Sequence, residues 1–596
     1  MTTEAAAADD GDHDGRSVPA APLVRGWIRL AIGLAQGLLL YGLHEAHDAK
    51  AWPATSPVLF GALILTFVFA PVVAIGGIGD LRRRTLITWL VPAAVLLLAL
   101  GAYDVWRQAT GVPGQIGIRL VSPIIIVVSA AWLFIAHHLM VGAEVARRRI
   151  APYPLYFDAA WKNGVQLALA VAFVGVFWAV LLLGAALFNV IGIEFVGKTI
   201  AKPWFWIPAT WIVFAGAVHI TDVRAGITRG IRTVALALLS WLMPLLTLLA
   251  AGFLVALPFT GLKPLWETRS AAAVLLSAAA VLIVLINAAY QDGDPGRRPN
   301  VVLRWAARVA AVLLVPLVAI AGYALALRIQ QYGYTPERIV AAACVLVGAC
   351  YAAGYGVAAV RRGPWMKRLE PTNIATAFVI LAVLLALFSP IADPGRISVA
   401  DQMARLRSGK IAPDRFDYAF LRFGGGRFGV DALRPLAARP GPGVERAKAA
   451  LKLENRWQAH EPAVAPKPAE ITMLPKGARL PDGFVQQVWA AQEYPSHCSA
   501  PRLVECYARM VDLDGDGRDE MVFGSEYDLN VYQARPDGRW VAVGDLLGVD
   551  CQVRKDLEAG AAPVAPSPWR DLKVGDRVLR FVPKSNTPPN RVCPEP

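Results

Sequence analysis

The sequence predicts an all-α polytopic transmembrane helix bundle of about eleven spans, followed by a small extracytoplasmic β-rich (α+β) domain. Three observations carry that prediction. Apolar stretches long enough to cross a bilayer recur from about residue 26 to residue 390. Every second loop between them is basic, and Lys/Arg bias in short loops sets orientation, with the basic side cytoplasmic. Beyond residue 480 the chain turns to β-branched and aromatic residues with Gly and Asp turns, the pattern of short strands.

Composition bounds the class. Of 596 residues, 56% are hydrophobic and only 17% charged, where a soluble protein carries roughly 25%. The net charge of +14 lies largely in loops beside apolar spans. Topology and contact with a lipid bilayer account for it. No dense Lys/Arg surface interleaves with aromatics, which speaks against a nucleic-acid partner. Residues 1–22 are small, acidic and polar, and are expected to form a disordered cytoplasmic N-terminus. They lack the basic n-region, apolar core and cleavage site of a secretory signal, so the first span reads as an uncleaved anchor.

The transmembrane helical domain is placed at 23–390. Its spans are read at 26–43, 57–75, 85–103, 119–141, 164–188, 204–221, 233–257, 270–290, 305–327, 338–360 and 371–390. These are long continuous runs, so helices are expected rather than the short alternating strands of a barrel. Basic clusters follow the even-numbered spans: Arg82 to Arg84, Arg147 to Arg149, Arg224 to Arg232, Arg297 to Arg304, and Arg361 to Arg368. The N-terminus is therefore expected in the cytoplasm and everything after the last span outside.

Ionisable groups within spans are functional candidates because burying them is costly. His137 and His138 sit near the inner end of the fourth span, with Glu144 just beyond. His219 and Asp222 share a helical face at the inner end of the sixth. These groups read as a proton or metal site, or as interfacial residues that water reaches; their place at the membrane edge favours the second reading. On the other side His44, Glu45, His47 and Asp48 cluster, but their spacing is not that of a zinc-protease helix. A solvated loop is the expectation there. Gln36, Gln166 and Asn287 are the main polar residues deeper in the spans. The absence of mid-span acidic residues lowers the case for an ion-coupled transporter.

After the last span comes Ser389 to Leu433, with Asp393 to Gly409 reading DPGRISVADQMARLRSG and Phe416 to Phe423 reading FDYAFLRF. With the span pattern and the turn Gly333 to Arg338, this resembles bacterial membrane proteins of the DUF4153 family. The resemblance covers roughly residues 25–435. It implies a multi-pass protein of the bacterial inner (plasma) membrane and no known reaction, so no catalytic residue and no organic cofactor is carried over. Residues 391–435 are expected to be an amphipathic, juxtamembrane helical segment. Ser398 can cap a helix starting at Val399, lying on the membrane surface or packed on the tail domain.

Residues 436–480 are rich in Pro and Ala and read as a linker, with room for a helix at 443–458. Residues 481–596 are the expected periplasmic domain. It holds Cys498, Cys506, Cys551 and Cys593. In an oxidising compartment these predict two disulfides, with all three pairings open.

The sharpest local motif is Asp512-Leu513-Asp514-Gly515-Asp516-Gly517-Arg518-Asp519-Glu520. Alternate carboxylates wrap oxygen ligands around Ca²⁺. The loop departs from the EF-hand, with Phe523 where a bidentate Glu belongs. It looks more like the calcium loop of FG-GAP or integrin-type repeats, in which Asp512, Asp514, Asp516 and Glu520 would supply carboxylates and Arg518 a carbonyl. A metal-free Asp/Gly turn is the plain alternative. A hairpin is expected between Asn530–Tyr532 and Trp540–Val543.

No P-loop, nucleophile elbow or dinucleotide fingerprint occurs, which lowers the case for an enzyme. Three functions stay open. The first is an envelope structural or sensory protein with a calcium-binding periplasmic tail and an envelope protein partner. The second is a transporter or channel, and the third a membrane enzyme acting on lipid or glycan. A filled, dry bundle would favour the first and a polar-lined cavity the second. A carboxylate–histidine groove would favour the third.

Overall fold

The structure is a computed structural model. It describes residues 22–110, 121–261, 270–294, 296, 299–453, 471–474, 478–487, 489, 498, 505–525, 529–546, 557, 572–574 and 577–579. The chain divides into two compact units, 1–451 and 452–596.

The first unit is helical. Eleven of its helices are long and apolar enough to cross a membrane. They are α1 (Pro22–Asp48), α2 (Pro57–Gly77), α3 (Arg83–Gln108), α4 (Pro123–Ala146), α5 (Tyr153–Val190) and, after the short α6 (Phe195–Ile200), α7 (Pro203–Val223). The series continues with α8 (Ala225–Thr260), α9 (Ala271–Tyr290), α10 (Val301–Tyr332), α11 (Pro336–Val360) and α12 (Leu369–Leu387), the last entered through a 3₁₀ turn at Trp365–Arg368. Every span read from the sequence has its helix. Several helices run past the apolar stretch, because helix continues into polar residues where hydropathy stops.

Close packing uses small residues, as it must where lipid is as apolar as the interface. A Cβ on Gly33 of α1 would lie 2.6 Å from the Trp211 carbonyl oxygen of α7, and one on Gly101 of α3 would lie 2.6 Å from the Gly61 carbonyl oxygen of α2. Two large apolar cores result. One joins α8, α9, α10 and α11 around Leu282, Leu314 and Tyr355; the other joins α2, α3 and α4 around Leu65, Leu97 and Ile125. Val176, Leu183, Leu238 and Leu248 are exposed on the outside of the bundle, the surface that faces acyl chains.

The segment after α12 differs from expectation. Helix α13 is Pro394–Arg407. Its cap is Asp393, whose Oδ1 accepts from the Arg396 amide at 2.9 Å; Ser398 is a buried residue inside the helix. The helix starts earlier because Asp393-Pro394 combines a capping carboxylate with a proline pre-set for the first turn. The helix packs on the bundle itself. Asp393 also accepts from Tyr103 and Arg107 of α3, and Arg405 donates to the Ile329 carbonyl of α10 at 2.9 Å. A π-turn at Phe420–Gly424 leads into α14 (Gly426–Ala438), where Arg434 donates to the Thr110 carbonyl. The segment therefore docks on the bundle end opposite the arginine-rich loops. Helix α15 (Val444–Lys452) follows.

The second unit holds a five-stranded sheet, β1 (Ile471–Leu474), β2 (Cys506–Val511), β3 (Glu520–Gly524), β4 (Leu529–Ala534) and β5 (Trp540–Leu546), in that spatial order. β1 pairs parallel to β2; the other pairs are antiparallel. The sheet thus begins inside the stretch read as linker. The expected hairpin is β4–β5, closed by the Arg535 amide on the Arg539 carbonyl at 2.7 Å. Helix α16 (Asp482–Gln486) drops Phe484 onto Phe523, Tyr532 and Trp540. Cys498 and Cys506 form a disulfide; Cys551 and Cys593 lie outside the described residues. A short pair, β6 (Leu572–Val574) and β7 (Arg577–Leu579), completes the unit.

Candidate functional site

The acidic loop joins β2 to β3. Strand β3 begins at Glu520, which the sheet holds only 2% exposed. The glycines supply the turns, with Gly515 and Gly517 both at positive φ, a conformation that costs glycine little. Carboxylate oxygens of Asp512, Asp514 and Glu520 all come within 4.8 Å of one another. Backbone amides hold them there. Asp512 accepts from Gly515 at 2.7 Å and Gly517 at 3.0 Å, and Glu520 accepts from Leu513 at 2.8 Å. Gln533 of β4 donates to both Asp514, at 3.0 Å, and Glu520, at 3.1 Å. Asp516 stands outside this group, its Oδ1 turned to the Arg518 amide at 2.8 Å. Three of the four carboxylates read from the sequence therefore meet. Gln533 was missed, since it reaches the loop only through strand pairing.

The bundle brings together a different set. His137 and His138, on α4, are 7% and 5% exposed. They line a cavity of about 280 Å³ walled by α2, α4, α5 and α7. Water was expected to reach these histidines at the membrane edge; helix packing instead encloses them. The His138 Nδ1 hydrogen bonds to the Phe134 carbonyl one turn back. A carbonyl only accepts, so Nδ1 carries the proton and Nε2 of the neutral ring is an acceptor. That Nε2, both ring nitrogens of His137 and the Oδ1 of Asn163 are buried without a protein partner. Gln166 also lines the cavity, with its Nε2 donating to the Val218 carbonyl at 2.8 Å. The same glutamine lines a second, polar cavity of about 440 Å³ with Asp80, Asp158, Lys162 and Arg232.

The other candidates resolve into ion pairs and structural bonds. Asp222 pairs with Arg29 at 2.9 Å, and Lys162 links Asp80 and Asp222. Arg29 is only 2% exposed, and an arginine inside the first apolar stretch was the signal that could have revealed it. His219 lies 3.5 Å from the Arg29 guanidinium. Glu144 pairs with Arg82 at 3.0 Å. His44 reaches Asp48 at 3.5 Å, while His47 stacks on Phe60. The acidic loop is the one group of three or more candidate metal ligands among the described residues.

The family profile described as a domain of unknown function, DUF4153, matches residues 59–438. That is most of the chain. The protein belongs to the DUF4153 family. The DUF4153 match runs from α2 through α14, so the family region includes the helices docked on the bundle end. It includes the histidine cavity and stops short of the β domain. No curated protein and no solved structure matches the chain.

Proposed function

We propose that this DUF4153 protein is an envelope protein of the inner membrane, structural or sensory, with a calcium site in its β domain. The convergence of Asp512, Asp514 and Glu520 within 4.8 Å carries the reading. Hard carboxylate oxygens on a glycine-bent loop suit Ca²⁺. Asp516 and the Arg518 carbonyl would complete the shell by a turn of the loop, Asp516 exchanging its bond to the Arg518 amide for the ion. Arginine-rich loops at one end of the bundle support a cytoplasmic N-terminus and an extracytoplasmic β domain, with an envelope protein as its partner. No reaction is assigned.

Extracytoplasmic calcium modules bind on the order of 10⁻⁴–10⁻³ M. At tenfold excess over Kd, binding to the folded state alone stabilises it by about 1.4 kcal/mol. The test is thermal melting of the full chain in nanodiscs, with millimolar Ca²⁺ or chelator. The β-domain midpoint is expected to rise with Ca²⁺ in the wild type and not in Asp514→Ala. An unchanged wild-type midpoint would leave a metal-free turn.

A second reading, that the bundle binds a small molecule, is favoured by the histidine cavity. The interior beside α4 is not filled by side chains.

A further inference from the structure

The polar cavity of about 440 Å³ sits where α4 and α7 end and α5 and α8 begin. That is the end of the bundle that carries the arginine-rich loops. Its volume falls within the roughly 300–1,000 Å³ of ligand sites. Its walls are charged: Asp80, Asp158, Lys162, Arg229 and Arg232 line it. The side chains of Lys162 and Asp158 are 40% and 47% exposed, so these charges are open to a ligand rather than sealed in the packing.

The charges on the wall leave a surplus of one cation. Lys162 holds Asp80 at 3.2 Å, and Arg232 holds Asp158. Lys162 also reaches Asp222, at 3.6 Å, but Asp222 has its own cation in Arg29, at 2.9 Å. Arg229 has no ion-pair partner among the described residues. Three cations against two carboxylates give the lining a net charge of +1. The neutral polar groups on the wall are largely committed. Gln166, Thr221 and Thr228 donate to the carbonyls of Val218, Ala217 and Thr221.

That balance selects an anion. A cationic ligand would have to draw a carboxylate away from Lys162 or Arg232, whereas an anion displaces nothing. Arginine presents five N–H donors in a planar fork that matches a phosphate. Arg229 is exposed, and Arg232 spends only one Nη on Asp158. Standing three residues apart on α8, the two share a helical face.

The surroundings select the carrier of that phosphate. Val145 lines the cavity and is exposed. On α8, Ile227, Ile231 and Val234 are exposed beside Arg229, at the spacing of one helical stripe. A phosphate that carries acyl chains can put its charge in the cavity and lay a chain along this stripe. A free phosphate gains only the charge. We propose that the cavity binds the headgroup of a phosphodiester lipid with one net negative charge, the phosphatidylglycerol type, its phosphate held by Arg229 and Arg232. Basic pockets between membrane helices take lipid headgroups in this way. The calcium reading of the β domain neither supports nor requires this site.

The experiment is native mass spectrometry of the full chain released from detergent micelles. The chain is titrated with phosphatidylglycerol and, in parallel, with phosphatidylethanolamine of the same acyl chains. The second lipid shares the phosphodiester but carries no net charge. The first phosphatidylglycerol is expected to bind the wild type about tenfold more tightly than the first phosphatidylethanolamine. Arg229→Gln is expected to remove that preference, the effect of losing one charge-assisted contact. Arg84→Gln deletes a cation at the same end of the bundle that does not line the cavity, and is expected to keep the preference. Inorganic phosphate at millimolar concentration is the aqueous probe, and is expected not to displace phosphatidylglycerol. Equal affinity of the wild type for the two lipids would overturn the proposal, and that comparison needs no variant to fold. Equal losses in Arg229→Gln and Arg84→Gln would also overturn it, since any arginine near the headgroups would then serve. Displacement by inorganic phosphate would overturn the lipid and leave a site for an aqueous anion.

Discussion

Two polar clusters lie inside the same bundle, and they differ in one respect. Around Asn287 the groups close on themselves. Asn287 accepts from Tyr153 at 3.2 Å and from Asn373 at 2.8 Å, and donates to Tyr355 at 2.8 Å and to the Ile283 carbonyl at 2.9 Å. Tyr355 in turn donates to Asn373 at 2.7 Å. The ring ties α5, α9, α11 and α12 together. Around His137 and His138 the groups do not close: both His137 ring nitrogens, the His138 Nε2 and the Asn163 Oδ1 are buried without a protein partner. A satisfied network rigidifies a core; an unsatisfied one is a cost that structure alone does not recover. The first cluster therefore reads as a fastening and the second as a polar group the fold does not use to hold itself together.

The sharpest way to break the comparison is to remove the centre of the closed ring. Asn287→Leu leaves Tyr153, Tyr355 and Asn373 each short of a partner. A loss of about 3 kcal/mol is expected, the upper range for a stranded buried group. Unfolding in nanodiscs or mixed micelles, followed by helical circular dichroism, measures it. Tyr355→Phe removes a single hydroxyl and should cost about 1.5 kcal/mol in the same assay. Equal losses for the two variants would mean that the ring is not cooperative about Asn287.

Much of this was legible in the sequence, and the reasons divide cleanly. Span number, the β4–β5 hairpin and the carboxylate loop are local patterns, set by hydropathy and turn chemistry over a few residues. Asn287 and Gln166 were visible as polar interruptions of apolar runs. Tyr153, Tyr355 and Asn373 were not, because a tyrosine or asparagine near a span end looks like an interfacial anchor until packing turns it inward. The enclosure of His137 was hidden for the same reason. It depends on α2, α5 and α7 meeting around α4, which no periodicity within α4 reports. The Asp393 cap was readable from Asp-Pro, yet Ser398 offered a competing signal that only packing decided against.

The smallest expected effect is the most discriminating. His137→Leu replaces a ring with two buried, unpartnered nitrogens by an apolar side chain. If the open cluster were structural, as the Asn287 ring is, the change would cost a comparable amount. If it is not, the fold has nothing to lose but packing, and it sheds a desolvated polar group. Stability is expected to stay within about 1 kcal/mol of the wild type, or to rise. Thermal melting of the wild type and the variant in nanodiscs reads the difference. A loss near that of Asn287→Leu would place the histidines in the fastening class and erase the contrast between the clusters.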